Sequence, residues 1–185
     1  MTIEKGAEWG SVVAERGDGV DARGDLARDL GVGDTSNHKG PWLRLPLDAI
    51  DVRALRSDGT ERLFTTTGWV RCGRRFRGDL AIVSSTAFVE GKRIFSRAHP
   101  NDGRLDWITI TDAMPLRQRV NFWRRTRTET HLPHPLVRTG TDRHRELKFA
   151  RPVRLATSEG ERLRGVVAIE ARVIPDATAT HIPSL

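Results

Sequence analysis

Asp106-Trp107-Ile108-Thr109-Ile110-Thr111 alternates large apolar or aromatic side chains with polar ones. That period of two is the pattern of a strand with one face buried. Working outward, other strand signals follow. Leu80-Ala81-Ile82-Val83 is a short apolar run suited to a central strand, and Lys148–Thr157 and Val166–Ile174 are rich in valine and isoleucine with a glycine-containing turn between them. Upstream, Ala49–Leu55 and Glu61–Val70 flank Ser57-Asp58-Gly59-Thr60, whose Asp-Gly pair predicts a hairpin. One helix breaks the series. Asp112 stands where a cap belongs, Pro115 falls in the first turn where its missing N–H costs nothing, and the pattern runs from Met114 to Arg127. Leu116, Val120 and Trp123 at i, i+4 and i+7 predict the buried stripe, leaving Arg117, Arg124 and Arg125 outward. Many short strands and one basic amphipathic helix predict a mostly β fold, α+β by strict count, built as a β-sandwich or barrel-like domain.

Composition narrows the setting. The chain has 185 residues, a net charge of +7 and a single cysteine, Cys72. That length argues for one domain, or one domain with a tail. One thiol makes neither an internal disulfide nor a multi-thiol metal site, so a cytoplasmic home is expected, with peripheral contact to a membrane as an option. The charge favours an anionic partner, whether lipid headgroup, polyphosphate or nucleic acid. Residues 1–40 carry few apolar positions and read as a loosely ordered arm in which only Asp25–Leu30 forms a short helix, ended by Gly31. Residues 41–185 read as the β domain.

Four segments, in order, carry a resemblance to the diacylglycerol-kinase-like lipid kinases. Pro100-Asn101-Asp102-Gly103-Arg104-Leu105-Asp106 is similar to that family's Pro-x-Asp-Gly-x-Leu-Asp segment. The resemblance implies a structural Mg²⁺ held by Asp102 and the backbone carbonyl of Arg104; a tight Asn-Asp-Gly turn can converge hard oxygen ligands on such an ion. Arg125–Pro135 resembles the Arg-x-Gly-x-His-x-x-His-Pro segment, with Glu129 in place of the glycine. Its two prolines exclude a helix, so His131 and His134 read as a structural loop rather than a zinc pair. Ser158-Glu159-Gly160-Glu161 stands where the family has an Asp-Gly-Glu turn facing the active-site cleft. By that likeness Glu159 is the general base for the lipid hydroxyl and Glu161 its partner. Gly24-Asp25-Leu26-Ala27-Arg28-Asp29-Leu30-Gly31 resembles part of the nucleotide domain, which makes Gly24 and Asp25 the cofactor-side candidates.

The resemblance therefore implies the C-terminal β domain of such a kinase with most of the nucleotide-binding domain absent. No Gly-x-x-x-x-Gly-Lys-Ser/Thr loop or complete Gly-x-Gly-x-x-Gly fingerprint occurs. Phosphoryl transfer rests on positioning and on neutralising the γ-phosphate, so a base without a phosphate cradle is idle. The leading expectation is an acceptor-side domain, non-catalytic alone. It would bind a lipid or amphiphile, or complete a kinase with a nucleotide-domain partner, ATP being held only through that partner or an abbreviated site. A lipid or anionic membrane surface would be met by Arg117, Arg124 and Arg125, and a homodimer is a further option. The alternatives are a complete ATP-dependent lipid kinase with an abbreviated nucleotide site, and a basic nucleic-acid-binding module.

Overall fold

The computed structural model describes residues 11–13, 15, 17–33 and 38–184. The elements are β1 (Ser11–Val13), α1 (Gly24–Leu30), β2 (Trp42–Arg56), β3 (Glu61–Thr66), β4 (Trp69–Arg74), β5 (Arg77–Ser84), β6 (Phe88–Val89), β7 (Lys92–Arg93), β8 (Leu105–Ile110), α2 (Leu116–Arg125), β9 (Val137–Asp142), β10 (His144–Thr157) and β11 (Arg162–Pro183). Nine strands form one antiparallel sheet in the order β1-β2-β11-β10-β4-β5-β8-β9, with β3 also on β2; β6 and β7 make a separate hairpin. Among the described residues β1 and β9 end the sheet without pairing to each other, so the barrel-like option gives way to an open, mostly β architecture.

Alternation sorts the side chains of β4, β5 and β8 onto two buried faces. Ala81, Val83 and Trp107 share a core with Ile50, Val52, Ile169 and Ala171 of the long strands β2 and β11. Leu80, Ile82, Ile108 and Ile110 pack on the other face with Ile94, Phe95, Phe122 and Trp123. A central strand buried on both sides reads as a continuous apolar run, which is why Leu80–Val83 lacks polar interruptions. Cys72 lies inside the first core, and burial pushes its thiol up to about 12, far from reactive. A third cluster seats α1: Leu30 packs on Leu43, Leu45 and Ile182, with Leu26 alongside.

The Asp58-Gly59 hairpin forms as read. Gly59 takes φ +80°, and Asp58 Oδ1 accepts the Thr60 N–H at 3.0 Å. The run Glu61–Val70, however, is two strands, divided at Thr67-Gly68. Gly68 takes φ +101° there, with the Ser158 side chain lying where a Cβ would point. The strand β9 gave no apolar signal, because Val137–Asp142 is an edge strand with no fully buried residue.

The helix differs most from its expected form. It begins at Leu116 with Pro115 as N-cap and no side-chain cap; the Asp112 N–H instead donates to Asp79 Oδ1 at 2.9 Å. Of the expected stripe only Trp123 is buried, while Leu116 and Val120 are 59% and 40% exposed. The buried face is Arg119, Phe122 and Trp123. A helical stripe can be read one residue off when an arginine occupies the core position, since its charge hides its burial from a pattern of apolar spacing. Arg117, Arg124 and Arg125 are exposed. No helix among the described residues is long and apolar enough to cross a membrane.

Candidate active-site cleft

The β10–β11 turn is built by its own polar atoms. The Gly160 N–H donates to the Thr157 carbonyl at 3.2 Å, the Ser158 N–H reaches the Trp69 carbonyl at 3.0 Å, and Gly160 takes φ +95°. This fixes Glu159 beside the β3–β4 turn, where its Oε1 accepts both the N–H and the hydroxyl of Thr67, each at 2.7 Å. The carboxylate remains exposed, and among the described residues no cation pairs with it. An exposed carboxylate oriented through one oxygen can accept a proton from a hydroxyl brought against it.

Opposite Glu159 stands α1. Gly24 opens it at φ +56° and Gly31 ends it at φ +70°, as the Gly31 stop required. Asp25 is engaged on both oxygens: Oδ1 accepts the Gly91 N–H at 2.7 Å and contacts Arg28 at 3.2 Å, while Oδ2 accepts Trp69 Nε1–H at 2.9 Å. Asp25 thus ties α1 to the sheet and to the β6–β7 hairpin. Between these pieces lies a cavity of about 440 Å³ lined by Gly24, Asp25, Thr67, Trp69, Glu90 and Glu159 among others. Segments separated by more than a hundred residues, Gly24-Asp25 and Glu159, face one space. Glu161 does not line it; its backbone closes the turn through Thr157.

Glu90 is a further acidic residue lining the cleft, and no motif in the sequence marked it. It sits at φ +49° at the hairpin tip and pairs with Arg71 at 3.0 Å and with Arg75. The Glu90-Gly91 pair between two short runs was its only local signal.

Asp102 lies elsewhere, sharing no lining residue with this cleft. Its Oδ1 caps its own turn by accepting the Arg104 N–H at 3.0 Å, and Gly103 takes φ +65°. The organiser of the segment is Asp48, 1% exposed, whose Oδ2 accepts the Gly103 N–H at 2.7 Å and whose Oδ1 accepts the Asp176 N–H at 3.1 Å. Asn101 Nδ2–H adds bonds to the Pro46 carbonyl and to Asp176 Oδ1, so Asn101–Arg104 and Val173–Ala177 are locked together. No group of three His, Cys, Asp or Glu side chains among the described residues could hold a metal. Asp102 and Asp48 each accept backbone N–H groups, which makes this segment a braced turn.

Burial raises the carboxyls of Asp48, Asp102 and Asp106 above the ordinary aspartate value of 3.8. A raised folded-state value favours the protonated form. The contribution is therefore present below pH 3.8 and lost as pH rises through the folded value. Asp106→Asn keeps an acceptor for the Thr141 hydroxyl, 2.7 Å away, and removes the charge. Its melting temperature relative to the parent should thus be higher at pH 7 than at pH 3. A difference that is the same at both pH values would show that Asp106 titrates normally.

No protein-family model matches the chain, and no curated protein matches it. Solved structures do. "A putative diacylglycerol kinase from Bacillus anthracis str. Sterne" superposes with a TM-score of 0.58 at 10% identity over 84% of this chain and 64% of that one. A second, a crystal structure with the same description, gives 0.60 at 9% identity over 86% and 66%. The chain has a diacylglycerol-kinase-like fold. At such identity the likeness is one of fold alone, and the chain spans about two thirds of the length of these structures.

Proposed function

We propose that this chain is the acceptor-side domain of a diacylglycerol-kinase-like lipid kinase. It binds a lipid or related amphiphile at the cleft beneath Glu159 and does not phosphorylate it unaided. The observation that carries the reading is the convergence of Glu159 and Gly24-Asp25 on one cavity within this fold. Glu159, held by Thr67, takes the proton from the lipid hydroxyl as that oxygen becomes the nucleophile. Glu161, outside the cleft, supports the turn rather than the proton transfer. ATP would supply the phosphoryl group, and a partner carrying the nucleotide domain would hold it. In this chain Asp25 is consumed by Trp69 and Gly91, and the sequence has no Gly-rich phosphate loop.

Isothermal titration of the chain with millimolar MgATP should give no binding heat. Micromolar, Mg²⁺-dependent affinity would replace this reading by that of a complete kinase with an abbreviated nucleotide site.

A further inference from the structure

The exposed side of α2 combines cations with apolar side chains that the core does not use. Arg119, Phe122 and Trp123 fill the inward face, while Leu116 and Val120 stand at 59% and 40% exposure. At i, i+4 and i+7 these two lie on the Trp123 flank of the helix. That flank is clamped to the β4–β5 turn. Trp123 Nε1–H donates to the Arg75 carbonyl at 3.2 Å, the Arg75 guanidinium lies 5.1 Å from the Trp123 ring, and Arg119 Nη2–H donates to the Gly78 carbonyl at 2.6 Å. The tip of this turn is Phe76, itself 50% exposed. Helix flank and turn are therefore one rigid unit presenting three unburied apolar side chains.

Cations ring them. Arg74 and Arg77 of the turn and Arg117, Arg124 and Arg125 of the helix are all exposed, and no acidic residue occurs from 113 to 128 or from 72 to 78. Of the carboxylates nearby, Glu90 pairs with Arg71 and Arg75, Asp79 accepts the Asp112 N–H, and Asp112 and Asp79 act on the buried Arg119 charge. Five like charges oppose docking of a second copy through this face. Charge complementarity favours a surface that is negative outside and apolar a few ångströms in. That description fits an anionic bilayer, where arginines meet phosphates while short apolar side chains enter the acyl boundary.

We propose that α2 and the β4–β5 turn form a membrane-docking face, with Phe76, Leu116 and Val120 inserting and the arginines binding anionic headgroups. The choice of a lipid surface rests on the lipid reading of the cleft, but docking requires neither nucleotide nor Glu159.

The test is sedimentation with vesicles of phosphatidylcholine alone or mixed with phosphatidylglycerol, at low and at physiological salt. The parent should sediment with the mixed vesicles only, and less so as salt rises. Phe76→Ser with Val120→Ser should lower the partition coefficient on the order of tenfold. Arg117→Gln with Arg124→Gln and Arg125→Gln should lower it about a hundredfold. All these positions are exposed, so melting curves should be unmoved, which separates lost docking from lost folding. Unchanged binding by either variant overturns the proposal: the first result removes insertion, the second removes the headgroup contact. Displacement of the vesicles by duplex DNA at equal phosphate concentration would reassign the face to nucleic acid. Glu159→Gln should sediment like the parent. If it does so while docking is intact and no amphiphile occupies the cleft, the cleft reading fails and the docking face stands.

Discussion

Arg119→Met should lower the melting temperature by about 10 °C, or about 3–5 kcal/mol, although it trades a charged residue for an apolar one of similar length. Arg119 is 1% exposed, and its guanidinium is spent on carbonyl oxygens. Nε–H donates to Met114 at 3.0 Å, Nη1–H to Arg75 at 3.5 Å, and Nη2–H to Gly78 at 2.6 Å and Thr111 at 2.7 Å. Burial pulls its pKa down from the ordinary arginine value, and the nearby Asp112 and Asp79 offset part of that cost. Methionine would leave these buried and part-buried carbonyls without that donor, before the helix start and around the β4–β5 turn together. Arg119→Lys should recover only part of the loss, because a three-donor point charge cannot span the geometry of a planar fork. Urea unfolding decides the matter. A methionine variant within about 1 kcal/mol of the parent would mean that water satisfies these carbonyls at no cost.

Gly73→Ala should destabilise comparably, by more than about 3 kcal/mol. Gly73 takes φ +96° at the irregularity between β4 and β5, and a Cβ there would lie 2.0 Å from the Asp79 carbonyl oxygen and 3.0 Å from its carbon. Both opposing atoms are backbone, so the hairpin itself must move. Gly160→Ala supplies the control. Gly160 has φ +95° but nothing within 4 Å of its Cβ position. It should cost only the left-handed strain of about 1 kcal/mol. Thermal unfolding of the two variants isolates the contact from the backbone conformation, and equal losses would refute the steric argument.

The sequence by itself determined what depends on neighbours along the chain. A period of two placed β8, a continuous apolar run placed β5, and valine- and isoleucine-rich stretches placed β10 and the middle of β11. An Asp-Gly pair placed the β2–β3 hairpin, and Gly31 ended α1 in the left-handed conformation that glycine adopts without strain. These features are local, and the residues involved carry their own conformational preferences. The Ser158–Glu161 turn was legible in the same way, through the resemblance it carried.

Only the tertiary structure decided which groups meet. Arg119 belongs by its charge to the polar side of the helix, yet the carbonyls of Met114, Arg75, Gly78 and Thr111 enclose it. Leu116 and Val120 looked like core and are surface. Asp48, inside an apolar strand with no motif around it, became the acceptor that holds Gly103 and Asp176. The cleft joins Gly24, Thr67, Glu90 and Glu159, whose proximity is set by sheet order rather than chain order. A buried polar group takes its partners from whatever the packed chain brings within about 3 Å, and no pattern of neighbouring residues encodes that.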